Sequence, residues 1–172
     1  MKVTLRKLRM SDLNRIMEMF PDPEVTSAIG LTLSENPPKI TREFEKKWLK
    51  KAIKEYMKKK PSSYNLAIIS DGIHVGNVGA YKIDYENDLV AVGYWIGKAY
   101  WGRGIATMAL KLFINELNKK FKIKRIEGFA FTFNPASMRV MEKCGFKLEG
   151  IKRSAKKGKN KFYDECQLAK IQ

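Results

Sequence analysis

The sequence predicts an α+β fold: a mixed, mostly antiparallel sheet of about seven strands flanked by helices, in a single domain covering residues 1–172. Three observations carry this. Apolar runs of strand length are interspersed with longer stretches whose apolar residues recur at helical spacing. The clearest strand pair is joined by a two-residue Asp71-Gly72 turn, a hairpin signal. The chain has 172 residues, 44% of them hydrophobic, and no linker or internal repeat, which suits one core of ordinary size.

In chain order, Val3 to Leu8 reads as a first strand, and Ser11 or Asp12 can cap a helix with Leu13, Ile16, Met17 and Phe20 on its apolar face. Pro21-Asp22-Pro23 ends that helix, and a loop region is expected through Pro37-Pro38. A long helix follows from near Thr41, with Phe44, Trp48, Leu49, Ala52, Ile53, Tyr56 and Met57 on one side and lysines on the other. Tyr64 to Ser70 and Ile73 to Tyr81 form the hairpin, and Leu89 to Ile96 adds a third strand after a polar loop. From Ala106 the spacing of Ala109, Leu110, Phe113, Ile114 and Leu117 predicts another helix. Arg125 to Phe133 is a strand and Pro135 to Cys144 a helix, with Pro135 at its first position and Gly145 at its stop. Phe146 to Ile151 and Phe162 to Leu168 close the chain as a hairpin.

The chemistry concentrates at Tyr100-Trp101-Gly102-Arg103-Gly104-Ile105-Ala106-Thr107, where a strand passes into a helix. A helix start carries unpaired N–H groups and the positive end of the helix dipole, and glycines let a phosphate approach those groups. The junction is a candidate pyrophosphate cradle, with Arg103 and the Thr107 hydroxyl as further donors. The competing account is a tight turn before a helix. Other phosphate motifs fit worse: the third glycine of a dinucleotide fingerprint would fall at Thr107, and no Gly-Lys-Ser/Thr follows for a Walker loop.

Composition narrows the class. Thirty-four Lys and Arg against eighteen Asp and Glu give a formal charge of +16, concentrated at Lys46 to Lys60 and at Lys152 to Lys161. Such a field favours a phosphate-bearing cofactor and an acidic protein or RNA surface, and it disfavours polyamines and aminoglycosides. Cys144, Cys166 and the single His74 offer neither a disulfide scaffold nor a zinc site. The start lacks a signal-peptide pattern and no run reaches membrane-spanning length, so a cytoplasmic protein without membrane contact is expected.

A second cassette, Asn134-Pro135-Ala136-Ser137 followed by Lys143-Cys144-Gly145-Phe146, lies about thirty residues after the glycine junction. Together the two resemble the acetyl-coenzyme A motifs of the GCN5-related N-acetyltransferase (GNAT) superfamily. Leu5-Arg6-Lys7-Leu8-Arg9 with Asp12, Pro23-Glu24-Val25, Gly93-Tyr94-Trp95-Ile96 and Gly150 extend the likeness over nearly the whole chain, to the RimJ/RimL branch. That branch acetylates protein N-terminal α-amines, notably of ribosomal proteins, while some relatives modify small amines. The resemblance implies acetyl-CoA as cosubstrate and a sheet that splits between the strand ending at Ile96 and the strand starting at Arg125. It implies a pantetheine arm bonded to backbone around Trp95 and Ile96, and a pyrophosphate on Gly102 to Thr107. Trp101, where the superfamily often has Gln or Arg, would offer backbone only, or would be a packing residue. Asn134 would steady the pantetheine and Ser137 would protonate the departing thiolate, although both also suit a helix cap. Met141 stands where some members place a tyrosine acid, and Ala91 where many carry a basic glutamate.

Glu127 and Asp164 are the remaining candidates for a base; a structural or solvated role is the alternative for each. An unperturbed α-amine is about one quarter neutral near pH 7.4 and a lysine amine only about one part in a thousand, so a site without a strong base suits α-amines. The expected protein is an acetyl-CoA-dependent N-acetyltransferase acting by direct transfer, without a metal or a covalent enzyme intermediate, as a monomer or homodimer. Its partner would be the N-terminus of a ribosomal or acidic protein. The alternatives are a small-molecule amine N-acetyltransferase and, from another class, an RNA- or ribosome-binding module using Lys152 to Lys161 and the basic face of the helix that starts near Thr41.

Overall fold

The computed structural model describes residues 1–172. Seven strands form one sheet in the order β1-β2-β3-β4-β5-β7-β6: β1 Val3–Lys7, β2 Ser63–Ser70, β3 Ile73–Asp84, β4 Leu89–Ile96, β5 Arg125–Phe131, β6 Lys147–Lys157 and β7 Phe162–Ile171. Every neighbouring pair is antiparallel except β4 and β5. Five helices flank it: α1 Leu13–Met19, α2 Pro23–Ala28, α3 Arg42–Glu55, α4 Ile105–Lys120 and α5 Pro135–Lys143. None is long and apolar enough to cross a membrane.

The alternation of side chains along the strands divides the interior. Val78 and Ala80 of β3 join Val90, Val92 and Ile126 in the main core, into which α4 inserts Ile105, Ala109, Leu110, Phe113, Ile114 and Leu117. A smaller core on the opposite face packs Leu13 and Ile16 of α1 against Leu49 and Ala52 of α3 and Ala67 of β2. Residues of β3 with the other parity, Asn77, Gly79 and Tyr81, face this second side.

The feature that creates a site is the β4–β5 pair. Its ladder runs only from Leu89, Val90 and Ala91 to Arg125, Ile126 and Glu127. Beyond Ala91 the strands part, so Gly93 to Ile96 and Phe129 to Phe131 border a split in the sheet, as the resemblance implied. Gly145, at φ +88°, stops α5 in the left-handed conformation that its lack of a Cβ permits.

Several expectations require correction. The segment read as loop after Pro23 contains α2: Asp22 caps it by accepting from the Glu24 amide at 2.8 Å, Pro23 takes the first turn, and Val25 is buried. The first of those two prolines ends one helix and the second starts another. Neither Ser11 nor Asp12 caps α1 through its side chain; the Asp12 carboxylate instead binds Arg6 and the Arg9 amide. In α3 most of the expected face is the packed one, with Leu49 and Ala52 in the smaller core and Trp48 and Ile53 against it, but its two ends depart from the expectation. Phe44 and Met57 are exposed, while Glu45 and Glu55 are buried with Leu49 and Ala52. Glu55 is accommodated because it accepts from the Ser62 amide and hydroxyl and pairs with Lys58. The last hairpin is longer than its apolar runs suggested, and residues 147–154 of β6 are all exposed at the sheet edge.

Candidate active site

The glycine junction folds as a strand-to-helix loop because two residues with left-handed backbone are needed there: Gly102 and Gly104 both have φ +74°. A Cβ at either position would meet no atom within 4 Å, so conformation and open space toward a ligand, not crowding, call for glycine. Gly104 offers α4 no side-chain cap, and Met108 is the first amide to reach a carbonyl of this turn, that of Gly104 at 3.1 Å. The preceding N–H groups and the positive end of a 16-residue helix therefore face the adjoining cleft. Trp101 acts through its side chain: its indole N–H donates to the Ile96 carbonyl at 2.7 Å and pins the loop to the end of β4. That carbonyl keeps a second lone pair, and the Trp101 side chain braces the loop from within the protein.

The cleft encloses approximately 470 Å³ between the loop, the diverging end of β4, α2 and α5. Arg103, Arg139 and Lys143 line it and no carboxylate does. Arg103 and Arg15 both lie against the Tyr100 ring, 5.6 and 5.7 Å from its centre, and Arg15 also donates to the Tyr100 hydroxyl at 2.6 Å. Free amides, a helix N-terminus and cations without acidic neighbours in the lining suit a diphosphate. No group of three or more His, Cys, Asp or Glu side chains is placed to hold a metal ion.

Where the sheet splits, Tyr94 of β4 meets Ser137 of α5, with Oη 3.0 Å from Oγ. Burial pushes the Tyr94 phenol up to about 12, despite its bond to Ser137, so it stays protonated at neutral pH. Asn134 accepts from the Ser137 amide at 3.1 Å as the α5 cap, and its Nδ2 donates to the Ala28 carbonyl at 3.1 Å, tying α2 to α5. A second cavity, of approximately 230 Å³, opens on the α3 side and shares Ala28, Ile29, Tyr94, Trp95 and Ser137 with the cleft. The two spaces thus border the same pair of hydroxyls. Trp48, Tyr81 and Phe129 are among the walls of the second, which also contains no carboxylate.

The model of the family described as acetyltransferase (GNAT) domain matches residues 2–147. The chain belongs to the GNAT acetyltransferases. It is 35% identical over 125 residues to the probable N-acetyltransferase YjcK of Bacillus subtilis (strain 168), covering 70% of this chain and 69% of that protein. To the ribosomal-protein-serine acetyltransferase of Escherichia coli (strain K12) it is 29% identical over 94 residues, covering 55% and 52% respectively. RimL, a ribosomal L7/L12 alpha-N-protein acetyltransferase solved in complex with coenzyme A, has the same fold: TM-score 0.84 at 20% identity, over 98% of this chain and 93% of that one. These relatives support the RimJ/RimL-like branch, and the protein is an acetyl-CoA-dependent N-acetyltransferase.

Of the residues singled out in this GNAT sequence, Trp95, Ile96, Trp101 to Thr107, Asn134 and Ser137 all line the cleft. Glu127 does not. Its carboxylate accepts from Arg125 Nε at 2.8 Å, behind Tyr81, and it lines neither cavity. Asp164 accepts from the Ser154 amide at 2.8 Å and holds the β6–β7 hairpin. Both free cysteines are buried with thiols pushed up by burial, as packing residues should be. Sequence reasoning singled out neither Tyr94 as a site residue nor the cations Arg139 and Lys143, all of which line the cleft. The i,i+4 spacing of those two after Ser137 was the available signal, since it puts them on one side of α5.

Proposed function

We propose that this acetyltransferase modifies the N-terminal α-amine of a protein, with a ribosomal protein as the first candidate. The observation that carries this reading is the acceptor-side cavity, which reaches Tyr94 and Ser137 without a carboxylate in its lining. A polyamine or aminoglycoside site needs anionic partners for several ammonium groups, and a chain with formal charge +16 repels such substrates. An α-amine needs less: about a quarter of it is neutral near pH 7.4, and water can carry its proton away.

Acetyl-CoA supplies the thioester-activated acetyl group. The amides of residues 102–107, with Arg103, Arg139 and Lys143, hold its phosphates. Tyr94 and Ser137 stand where the two cavities meet. As the neutral amine nitrogen bonds to the acetyl carbon and the C–S bond breaks, the Ser137 hydroxyl proton would pass to the departing sulfur, the Tyr94 hydroxyl would return a proton to Ser137, and the proton shed by the amine nitrogen would restore the phenol through water. Catalysis rests mainly on holding amine and thioester together and on backbone N–H groups polarising the carbonyl.

Incubation of the protein with isotope-labelled acetyl-CoA and a cell extract, followed by mass spectrometry, tests the reading. Label on protein α-amines is the expected result. Label confined to small amines would overturn it in favour of a small-molecule acceptor.

A further inference from the structure

The acceptor-side cavity contains a polar arrangement that acetyl transfer itself does not use. We infer that Asn65 and Asn77 form a carboxamide subsite for the first peptide unit of the acceptor, an inference that rests on the N-terminal reading and names what would select the substrate.

The register places the parts together. Asn65 of β2 lies opposite Gly79 of β3, which lies opposite Gly93 of β4, and Asn77 lies opposite Trp95. All of them line the cavity. Asn65 and Asn77 are therefore diagonal neighbours on one sheet face, beside a floor made of two glycines. Gly79 is needed for space: a Cβ there would stand 2.0 Å from Asn65 Oδ1. The Asn65 carboxamide thus lies across this floor. Its oxygen accepts no hydrogen bond, and its nitrogen makes only a 3.5 Å contact with Ser63 Oγ.

Asn77 is 4% exposed, yet its Nδ2 has no partner. Its orientation is set from behind. His74 Nε2 lies 3.0 Å from the Gly76 carbonyl and 2.8 Å from Asn77 Oδ1, and two acceptors assign the imidazole proton to Nε2. With its oxygen held by His74, Asn77 presents its NH₂ as an unused donor. Native proteins leave few buried donors unpaired, and one in the wall of a binding cavity is placed to take an acceptor from a ligand.

One free donor on Asn77 and one free acceptor on Asn65 match the carbonyl and N–H of a peptide unit. No charged side chain lines the cavity, so nothing in it forms an ion pair with a second charge on the acceptor. A polyamine presents no carbonyl to Asn77 and brings a further charge that carboxamides do not neutralise. The class of acceptor is therefore an amine whose next functional group is a neutral amide.

The test compares two acceptors, a seryl peptide and a simple alkylamine without a carbonyl, in the full-length protein and in the variants Asn77→Ala, Asn65→Ala and Gly79→Ala. The wild type should prefer the peptide. Each variant should raise the peptide KM roughly tenfold or more and so erase the preference over the alkylamine, with the KM for acetyl-CoA unchanged. Thermal midpoints verify folding, and Gly79→Ala displaces the Asn65 side chain without deleting it. A preference that survives all three variants would overturn the subsite and leave the N-terminal reading standing. A wild type that does not turn over peptide would overturn both.

Discussion

Tyr94 Oη and Ser137 Oγ lie 3.0 Å apart although their residues are 43 positions apart and belong to elements that meet only where the sheet opens. The phenol is kept protonated by burial and the serine sits at the first turn of α5, the arrangement on which the proposed proton transfer to the departing sulfur draws.

Removing either hydroxyl should therefore slow the chemical step more than binding. Tyr94→Phe and Ser137→Ala are each expected to lower kcat by about 10- to 100-fold, with little change in the KM for acetyl-CoA. The double variant should lose little more than the worse single one, because the two act as a unit. Steady-state kinetics at saturating acceptor check this.

Gly104 should report on cofactor binding through backbone conformation alone, since a side chain there has room. Gly104→Val, which puts a β-branched residue at φ +74°, is expected to weaken acetyl-CoA binding by about tenfold or more, whereas Gly104→Asn should cost much less because asparagine tolerates that region. Calorimetric titration of both variants separates strain from steric blocking, which would affect them alike.

Glu45 sits buried in α3 and receives no hydrogen bond, and burial raises its carboxyl to about 7. Its folded value exceeds its unfolded one, so the folded state binds the extra proton and stability falls as pH rises from about 4.5 through 7. Glu45→Gln should stabilise the protein by about 1–2 kcal/mol at pH 8 and by little at pH 4. Urea unfolding at the two pH values measures the difference.

The acid limb has a different origin. Burial pushes the Asp12 carboxyl up, but the two Arg6 hydrogen bonds at 2.8 and 2.6 Å and the Arg9 amide outweigh it and hold the group below its usual value. His74, packed beside it, is kept neutral chiefly by burial. Both folded values are depressed, so both contributions are present at neutral pH. His74 begins to lose its share as pH falls below about 6.5, and Asp12 loses its share below about 4. Asp12→Asn should cost about 2–3 kcal/mol at pH 7 and flatten the acid limb below pH 4, as read by thermal midpoints across pH.

The strands, the Asp71-Gly72 hairpin, α4 and α5, and the glycine junction were legible because each is written in local spacing or turn chemistry: alternation, a 3.6-residue period, and glycine where φ must be positive. The same locality made Asn134 and Ser137 readable, since a helix start is a sequence-local event. Pro21-Asp22-Pro23 shows where that reading stops short, because a proline can end one helix while the next one opens another.

What the sequence determined by itself is the family of elements, the basic charge, and a phosphate-binding helix start followed by a capped one. Tertiary structure alone decided which strands part after Ala91, that Tyr94 turns toward Ser137, that Glu127 stays with Arg125 outside both cavities, and that Asn65 lies over Gly79. The reason is physical. Periodicity states which residues share a face but not what faces them, and in a strand bordered on both sides by protein, such as β4, neither parity points to solvent. Hydrogen-bond partners and desolvation are set by chain segments tens of residues away, so they exist only once the sheet has closed on one side and opened on the other.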